Sequence, residues 1–382
     1  MGSNRLSSVD VFRGATMAAM VIVNTPGDWD HVYWPLLHAE WHGWTPTDLI
    51  FPFFVFIVGV SIVLSKKSTG ALGPIVRRAV VIFGLGLLLA LYPRFDFSTV
   101  RIMGVLARLA ICYLAAVLIY RAVAGRDEQT RSSVVLIVAA VLLVLYWILL
   151  TFVPVPGGQA GDLSPSGNLG AWIDRTVLGE AHLWRQSKTW DPEGLLSTLP
   201  AIATALTGVV TGLVLASDRD ATTKVTILVS AGVALTATGQ LVGLTFPINK
   251  NLWTSSYVLF TSGLASILLA LCYWLVDIRL RGAAASARQV RLQRALMRPF
   301  IVMGTNALVL FVVSGWLVKT LLLVKVTEPT GQPVTLYRWI YAHIFEPLAS
   351  PKNASLMFAI AALILLYALL EFMYRRRWFV RA

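Results

Sequence analysis

The chain has 382 residues, 57% of them hydrophobic and 13% charged, with a mean hydropathy of +0.72. Those values exclude an ordinary soluble domain. A net charge of +13 would suggest nucleic acid in a soluble protein, but membrane topology accounts for it better and no nucleic-acid partner is expected.

Apolar runs occupy residues 11–27, 48–65, 75–92, 102–121, 133–153, 195–216, 224–245, 254–276, 299–324 and 356–374. Each is long enough to cross a bilayer as a helix, which takes about 20 residues. In lipid every backbone amide must be bonded internally, so such runs are helical. The short alternating segments of a β-barrel are absent. The expected fold is all-α: a polytopic integral membrane protein of about 10 transmembrane helices. The start, MGSNRLSSVDVFRG, lacks the basic, apolar, small-residue order of a cleaved signal peptide. With the N-terminus in the cytoplasm, the inner segments hold Arg5, Lys66, Lys67, Arg77, Arg78, Arg121, Arg126, Arg131, Arg219, Lys224 and the basic runs 279–298 and 375–381. The outer segments hold only Arg94, Arg101, Arg175, Arg185, Lys188, Lys250, Lys325, Arg338 and Lys352. This is the positive-inside pattern, and it places both termini in the cytoplasm.

Polar residues inside this apolar frame are where chemistry is sought, because burying them in lipid is costly. Asp10 and Arg13 flank the inner start of the first span and can pair at a spacing of three. Asn24 ends that span on the outer side. The loop that follows, to Asp48, carries His31, His38 and His42 among Trp29, Tyr33, Trp34, Trp41 and Trp44. Aromatics at this depth form interfacial belts, and as a cluster they also suit stacking on a sugar ring. Histidine spacings of seven and four would allow a metal on a helix, but Pro35 and the absence of a zinc signature argue against it, and no metal is expected. A neutral imidazole, by contrast, accepts a proton at physiological pH, so His38 is a candidate base or nucleophile. Asp48 opens the second span two residues after Pro46, as a helix cap or a substrate ligand.

Arg101 and Arg108 lie seven apart on one face of the fourth span, with Arg108 about 10 Å deeper. Asp48, Glu193 or a ligand phosphate are candidate partners for Arg108. Cys112 and Cys272 fall within apolar spans and read as reduced packing residues. The longest gap, 154–194, holds an amphipathic stretch near Leu169 to Val177 and ends on Asp191 and Glu193, which suit an amino sugar's ammonium or cap the next helix. Asn249, Lys250, Asn251 and Trp253 form another outer cluster suited to hydroxyl recognition. Residues 1–382 read as one transmembrane domain: an eight-helix part (1–277), a basic cytoplasmic link (278–298) and two C-terminal helices (299–382).

Several strings occur in one order: RLSSVDVFRG, HAEWHGWTPTDLIFPFFVFIVGVSIVLS, RIMGVLARLAICY, WDPEGLLSTLPAI, FPINKNLWTSSYV and GTNALVLF. Together they resemble the heparan-alpha-glucosaminide N-acetyltransferase family and its bacterial relatives. The resemblance implies a multi-pass acyltransferase of the bacterial inner membrane. It would take acetyl from cytoplasmic acetyl-CoA and deliver it to a glucosamine-type amine on the periplasmic side. The family's catalytic histidine, in a His-Ala-Ser-Trp-Asn-Gly context, falls on His38 in His38-Ala39-Glu40-Trp41-His42-Gly43, so Glu40 and His42 are departures. The family's span-end asparagine falls on Asn24. Catalytic roles are therefore expected at His38 and Asn24, with Asp10, Arg13, Arg101 and Arg108 on the coenzyme. Trp41, Asp48, Asp191, Glu193, Asn249, Lys250, Asn251 and Trp253 are assigned to the amino sugar. The family also suggests a homodimer. A thioester is already activated, so the transfer needs a base and an oxyanion donor, not a metal. His38 serves either as base or as a transient acetyl carrier. The competing expectation is an amino-sugar or N-acetylglucosamine permease without acyl transfer, which does not need His38. Acyl transfer predicts a cavity joining the faces, wide at the His38 loop.

Overall fold

The computed structural model describes residues 6–279, 287–328 and 331–380. Helix accounts for 71% of the structure, as the apolar runs require. The helices are α1 (Ser7–Asn24), α2 (Ile50–Leu64), α3 (Leu72–Leu91), α4 (Val105–Val123), α5 (Glu128–Phe152), α6 (Leu169–Leu178), α7 (Thr198–Ala216), α8 (Ala221–Val242), α9 (Ser255–Tyr273), α10 (Ala287–Thr305), α11 (Ala307–Leu323), α12 (Leu336–Ile340) and α13 (Pro351–Arg375). A two-stranded hairpin, β1 (Lys325–Thr327) with β2 (Pro333–Thr335), is the small exception to the all-α expectation.

Among the described residues eight helices are long and apolar enough to cross a membrane, and nine if α10 and α11 count as one. The expected first span, α1, falls outside that set because Ser7, Ser8, Asp10, Arg13 and Asn24 dilute its hydropathy. The expected ninth span, 299–324, is broken. Its two helices meet at Asn306 with a bend of 78°. Asn306 spends its side chain on the C-terminal tail, donating to the Trp378 carbonyl (3.1 Å) and accepting from Val380 N (3.1 Å). Of the expected basic link, residues 280–286 lie outside the described residues, and 287–298 form the first part of α10.

Successive connections alternate between two faces. Gly27 N bonds the Ser355 carbonyl (3.2 Å), Ile102 N the His182 carbonyl (3.2 Å) and Trp41 Nε1 the Leu163 carbonyl (2.9 Å), which gathers four loops around His38. On the opposite face Arg121 reaches the Gly70 carbonyl, Arg219 pairs with Glu128, and Asp277 caps α1 by accepting from Ser7 N and Ser8 N (3.2 and 2.9 Å).

Helix contacts are closest where glycine removes the side chain. A Cβ on Gly208 of α7 would sit 2.0 Å from the Phe56 carbonyl oxygen of α2. On Gly304 of α10 it would sit 2.0 Å from the Asp10 carbonyl oxygen of α1. The C-terminal helices thereby share a core with α1, built from Met17, Val21, Val302, Leu310 and Leu366. Gly304→Val should force α1 and α10 apart and cost about 1–3 kcal/mol, the usual scale of overpacking. Thermal unfolding of the purified variant in detergent checks this, and a wild-type midpoint contradicts it.

Candidate functional site

The His38 loop is held by its own sequence. Thr45-Pro46-Thr47-Asp48 starts a short helical turn leading into α2, with Thr45 and Asp48 forming a reciprocal capping box. The Asp48 carboxylate accepts from Thr45 N (2.9 Å), Thr45 Oγ1 (3.1 Å) and Ala39 N (3.0 Å). Thr47 Oγ1 donates to the Pro35 carbonyl (3.0 Å), and Gly43 N to the Ile248 carbonyl (2.8 Å). His38 Nδ1 lies 2.7 Å from Asp48 Oδ1. The Asp48 side chain is 1% exposed and that of His38 is 48% exposed. An ionised carboxylate only accepts, so Nδ1 carries the proton and the Nε2 lone pair is the reactive one. Tyr257 OH anchors the assembly from α9 by donating to the Asp48 carbonyl (2.5 Å).

Lys250 completes the cluster. Its Nζ lies 3.2 and 3.3 Å from the two ring nitrogens of His38 and 3.9 Å from Asp48 Oδ1. The turn that carries it is rigid. Asn249 N donates to Thr254 Oγ1 (3.0 Å), Leu252 N to Asn249 Oδ1 (2.8 Å) and Trp253 N to the Lys250 carbonyl (3.1 Å). Trp253 adopts φ +54°, an uncommon left-handed conformation for a bulky residue. It persists because the indole is fully buried and donates to Thr204 Oγ1 (3.1 Å). Asn249 Nδ2 faces His42 Nδ1 at 3.2 Å, and Asn251 is half-buried in the same turn. Burial lowers the pKa of Lys250 and of His42, the former against the pull of Asp48 and Glu193.

A second cluster adjoins the first. Arg101 Nε donates to Asp191 Oδ2 (2.8 Å), and Nη2 reaches both Asp191 Oδ1 (2.5 Å) and Glu193. Arg108, fully buried, donates from Nη2 to the Gly194 carbonyl (3.1 Å) and to Ser197 Oγ, with its guanidinium 5.0 Å from the Trp253 ring centre. Among the described residues Arg108 Nε and Nη1 have no hydrogen-bond partner. Burial works to raise the Glu193 carboxyl, but Arg101, Arg108 and Lys250 together bring it below its ordinary range.

Beneath this cluster, burial pushes the Asp174 carboxyl up to about 6, although it accepts from Leu195 N (2.8 Å). A carboxyl raised in the folded state binds more protons there than in the unfolded chain. Stability should therefore fall as pH rises from about 4 to 6, by up to about 3 kcal/mol, and then level off. Asp174→Asn keeps the acceptor oxygen and should remove that slope. Melting curves across this pH range check it, and an unchanged slope in the variant contradicts it.

The other expected site residues are distributed as follows. Trp41 packs edge-on against Trp190 (centroids 5.0 Å), which in turn meets Trp184 (5.5 Å). Asn24 is exposed at the end of α1. Asp10 and Arg13 lie near the opposite face, where Arg13 donates to Asp10 (3.3 Å), the Gly304 carbonyl (3.1 Å) and Ser61 Oγ (2.7 Å). The three loop histidines have separate partners, His31 being paired with Asp28 (2.7 Å). Among the described residues no group of three or more His, Cys, Asp or Glu side chains is placed to hold a metal. A cavity of about 640 Å³ lies between α3, α4 and α11. Arg101 and Trp184 line it and His38 does not, so this space is not the expected passage at the His38 loop.

Sequence reasoning missed Thr45, Ser197, Tyr257 and Trp190. Thr45-x-x-Asp48 is a readable capping signature. Ser197, Tyr257 and Trp190 act through contacts far away in sequence and carry no local signal.

Residues 5–167 match the family described as heparan-alpha-glucosaminide N-acetyltransferase, catalytic. The human heparan-alpha-glucosaminide N-acetyltransferase is 34% identical over 331 residues, covering 72% of this chain and 49% of the human protein. The mouse protein of that name is 33% identical over 333 residues, covering 72% and 50%. The chain thus spans about half the length of the curated relatives it matches.

Proposed function

The chain belongs to the heparan-alpha-glucosaminide N-acetyltransferase family, and from that premise we propose that it is a membrane acetyltransferase with His38 as general base. The donor is acetyl-CoA supplied at the basic, cytoplasmic face. The acceptor is the amine of a glucosamine-type sugar on the periplasmic face of a bacterial inner membrane. The observation that carries this reading is the 2.7 Å contact between His38 Nδ1 and the buried Asp48 carboxylate. It orients the ring with its lone pair on Nε2, which takes a proton from an attacking amine once Lys250 Nζ turns from Nε2 to the carbonyl oxygen. The amine nitrogen bonds to the thioester carbonyl carbon while its proton passes to Nε2. The carbon–sulfur bond then breaks, and the departing coenzyme A thiolate takes the proton back from the imidazolium. Lys250, 3.3 Å from Nε2, is placed to stabilise the negative charge that develops on the carbonyl oxygen. Asp48 is read as the orienting partner of His38 in place of a sugar ligand. Arg101 is read as the counter-charge that fixes Asp191 and Glu193 beside Lys250.

The purified chain in detergent, given acetyl-CoA and glucosamine, should release coenzyme A thiol and form N-acetylglucosamine in equal amounts. Vesicle uptake of unmodified sugar with no thiol release would favour the permease instead.

A further inference from the structure

Positive-inside topology explains the basic residues of the opposite face, but not a convergence of cations on the His38 face, where they are sparse. Arg94, Arg101 and Arg185, three of the nine basic residues that the outer connections hold, line the 640 Å³ cavity together with Lys319 of α11. Asp96 is the one acid in that lining, and its carboxylate is occupied by Ser98 Oγ (2.6 Å) and Thr99 Oγ1 (2.7 Å). Arg101 is neutralised by Asp191 and Glu193, and Lys319 Nζ is engaged by the Leu89 and Tyr92 carbonyls (2.5 and 2.9 Å). Arg94 forms no hydrogen bond or ion pair among the described residues, and Arg185 donates there only to Thr99 Oγ1 (2.8 Å), its charge reaching Asp96 without a direct contact. Both arginines are exposed at the mouth.

The rest of the cavity is apolar. Leu89, Leu106, Phe311, Leu322 and Leu323 wall it. From Leu323 to Phe311 it follows α11 for about 18 Å. Cationic mouth and long apolar interior together describe the two ends of one ligand, since neither a free anion nor a plain hydrocarbon would use both. We propose that this cavity binds an anionic amphiphile, with a phosphate-like head at Arg94 and Arg185 and a hydrocarbon chain along α3, α4 and α11. The cavity shares Arg101 with the cluster beside Lys250, but Arg94, Arg185 and Gly104 lie outside that cluster, and the test uses no turnover.

The measurement is saturable binding of radiolabelled hexadecyl phosphate to the full chain in nanodiscs of zwitterionic phosphatidylcholine. Unlabelled hexadecyl phosphate should displace it, and hexadecanol or inorganic phosphate should not. Arg94→Gln with Arg185→Gln should weaken binding about tenfold, since two charge-assisted contacts are lost. Gly104→Phe provides a steric check. Gly104 lines the cavity in an extended conformation (φ −155°), and a Cβ there meets nothing within 4 Å. Its ring should abolish binding while leaving the melting point unchanged. Wild-type binding by both variants overturns the proposal. So does equal displacement by hexadecanol, which removes the role of charge, or by inorganic phosphate, which removes the role of the chain. Displacement by coenzyme A would also overturn it, by giving the cavity to the acetyl donor.

Discussion

His38→Ala should lower turnover with an amine acceptor by about 10²–10⁴-fold, the range for loss of a positioned general base. Its melting point should stay that of the wild type. The loop is held by Asp48 acting on Ala39 and Thr45, not by the half-exposed imidazole. Free imidazole added to the variant should restore part of the rate, because the attacking amine needs a proton acceptor and free imidazole can supply one. Asp48→Asn separates orientation from chemistry. Its side-chain oxygen can still cap the turn, but its amide donates where the carboxylate accepted, which favours the wrong tautomer of His38. Turnover should fall nearly as far, and imidazole should not rescue it. A His38→Ala variant with wild-type kcat removes the histidine from the chemistry altogether.

Arg101→Ala carries the largest expected loss of stability, about 3–5 kcal/mol, because it strands two buried carboxylates. Asp191 and Glu193 are 4% and 5% exposed, and Arg101 bonds both. The sign with pH follows from Arg101, which favours the ionised form of both carboxyls: Glu193 lies below its ordinary range, while burial keeps Asp191 above its own. A group whose folded pKa is lowered contributes stability above its unfolded pKa and loses it as pH falls through the folded value. The deficit of the variant should therefore be full at neutral pH and shrink in acid, where the carboxyls take up protons. Adding Asp191→Asn and Glu193→Gln to Arg101→Ala should recover most of the loss at neutral pH. Equal melting points for wild type and Arg101→Ala contradict the buried network.

Most of the fold was legible because its signal is local: a bilayer-length apolar run dictates a helix wherever it occurs. The exceptions have identifiable causes. In α1, Asp10 and Arg13 form an ion pair within the helix, so it looks less apolar than its neighbours. The break at Asn306 answers to a tail more than 70 residues away. The candidate site divides along the same line. His38 stands out by its string and by its polar loop, and Asp48 by its position after Pro46. An aspartate that caps a helix, binds an ammonium or orients an imidazole looks identical in sequence, however, and only the 2.7 Å contact favours the last. Arg108 hydrogen-bonds Ser197 and the Gly194 carbonyl, partners that charge matching does not reveal, while its charge acts on Glu193, one of the expected candidates. Lys250 meets His38 across 212 residues, a pairing that no local pattern encodes.

Transfer across the membrane is the claim on which the functional reading rests. Sealed vesicles holding the chain in one orientation, with acetyl-labelled acetyl-CoA confined to the basic face and glucosamine to the His38 face, test it most directly. Coenzyme A should appear on the basic face and labelled N-acetylglucosamine on the other, with neither formed by His38→Ala. Product formed only when both substrates share one compartment would contradict it.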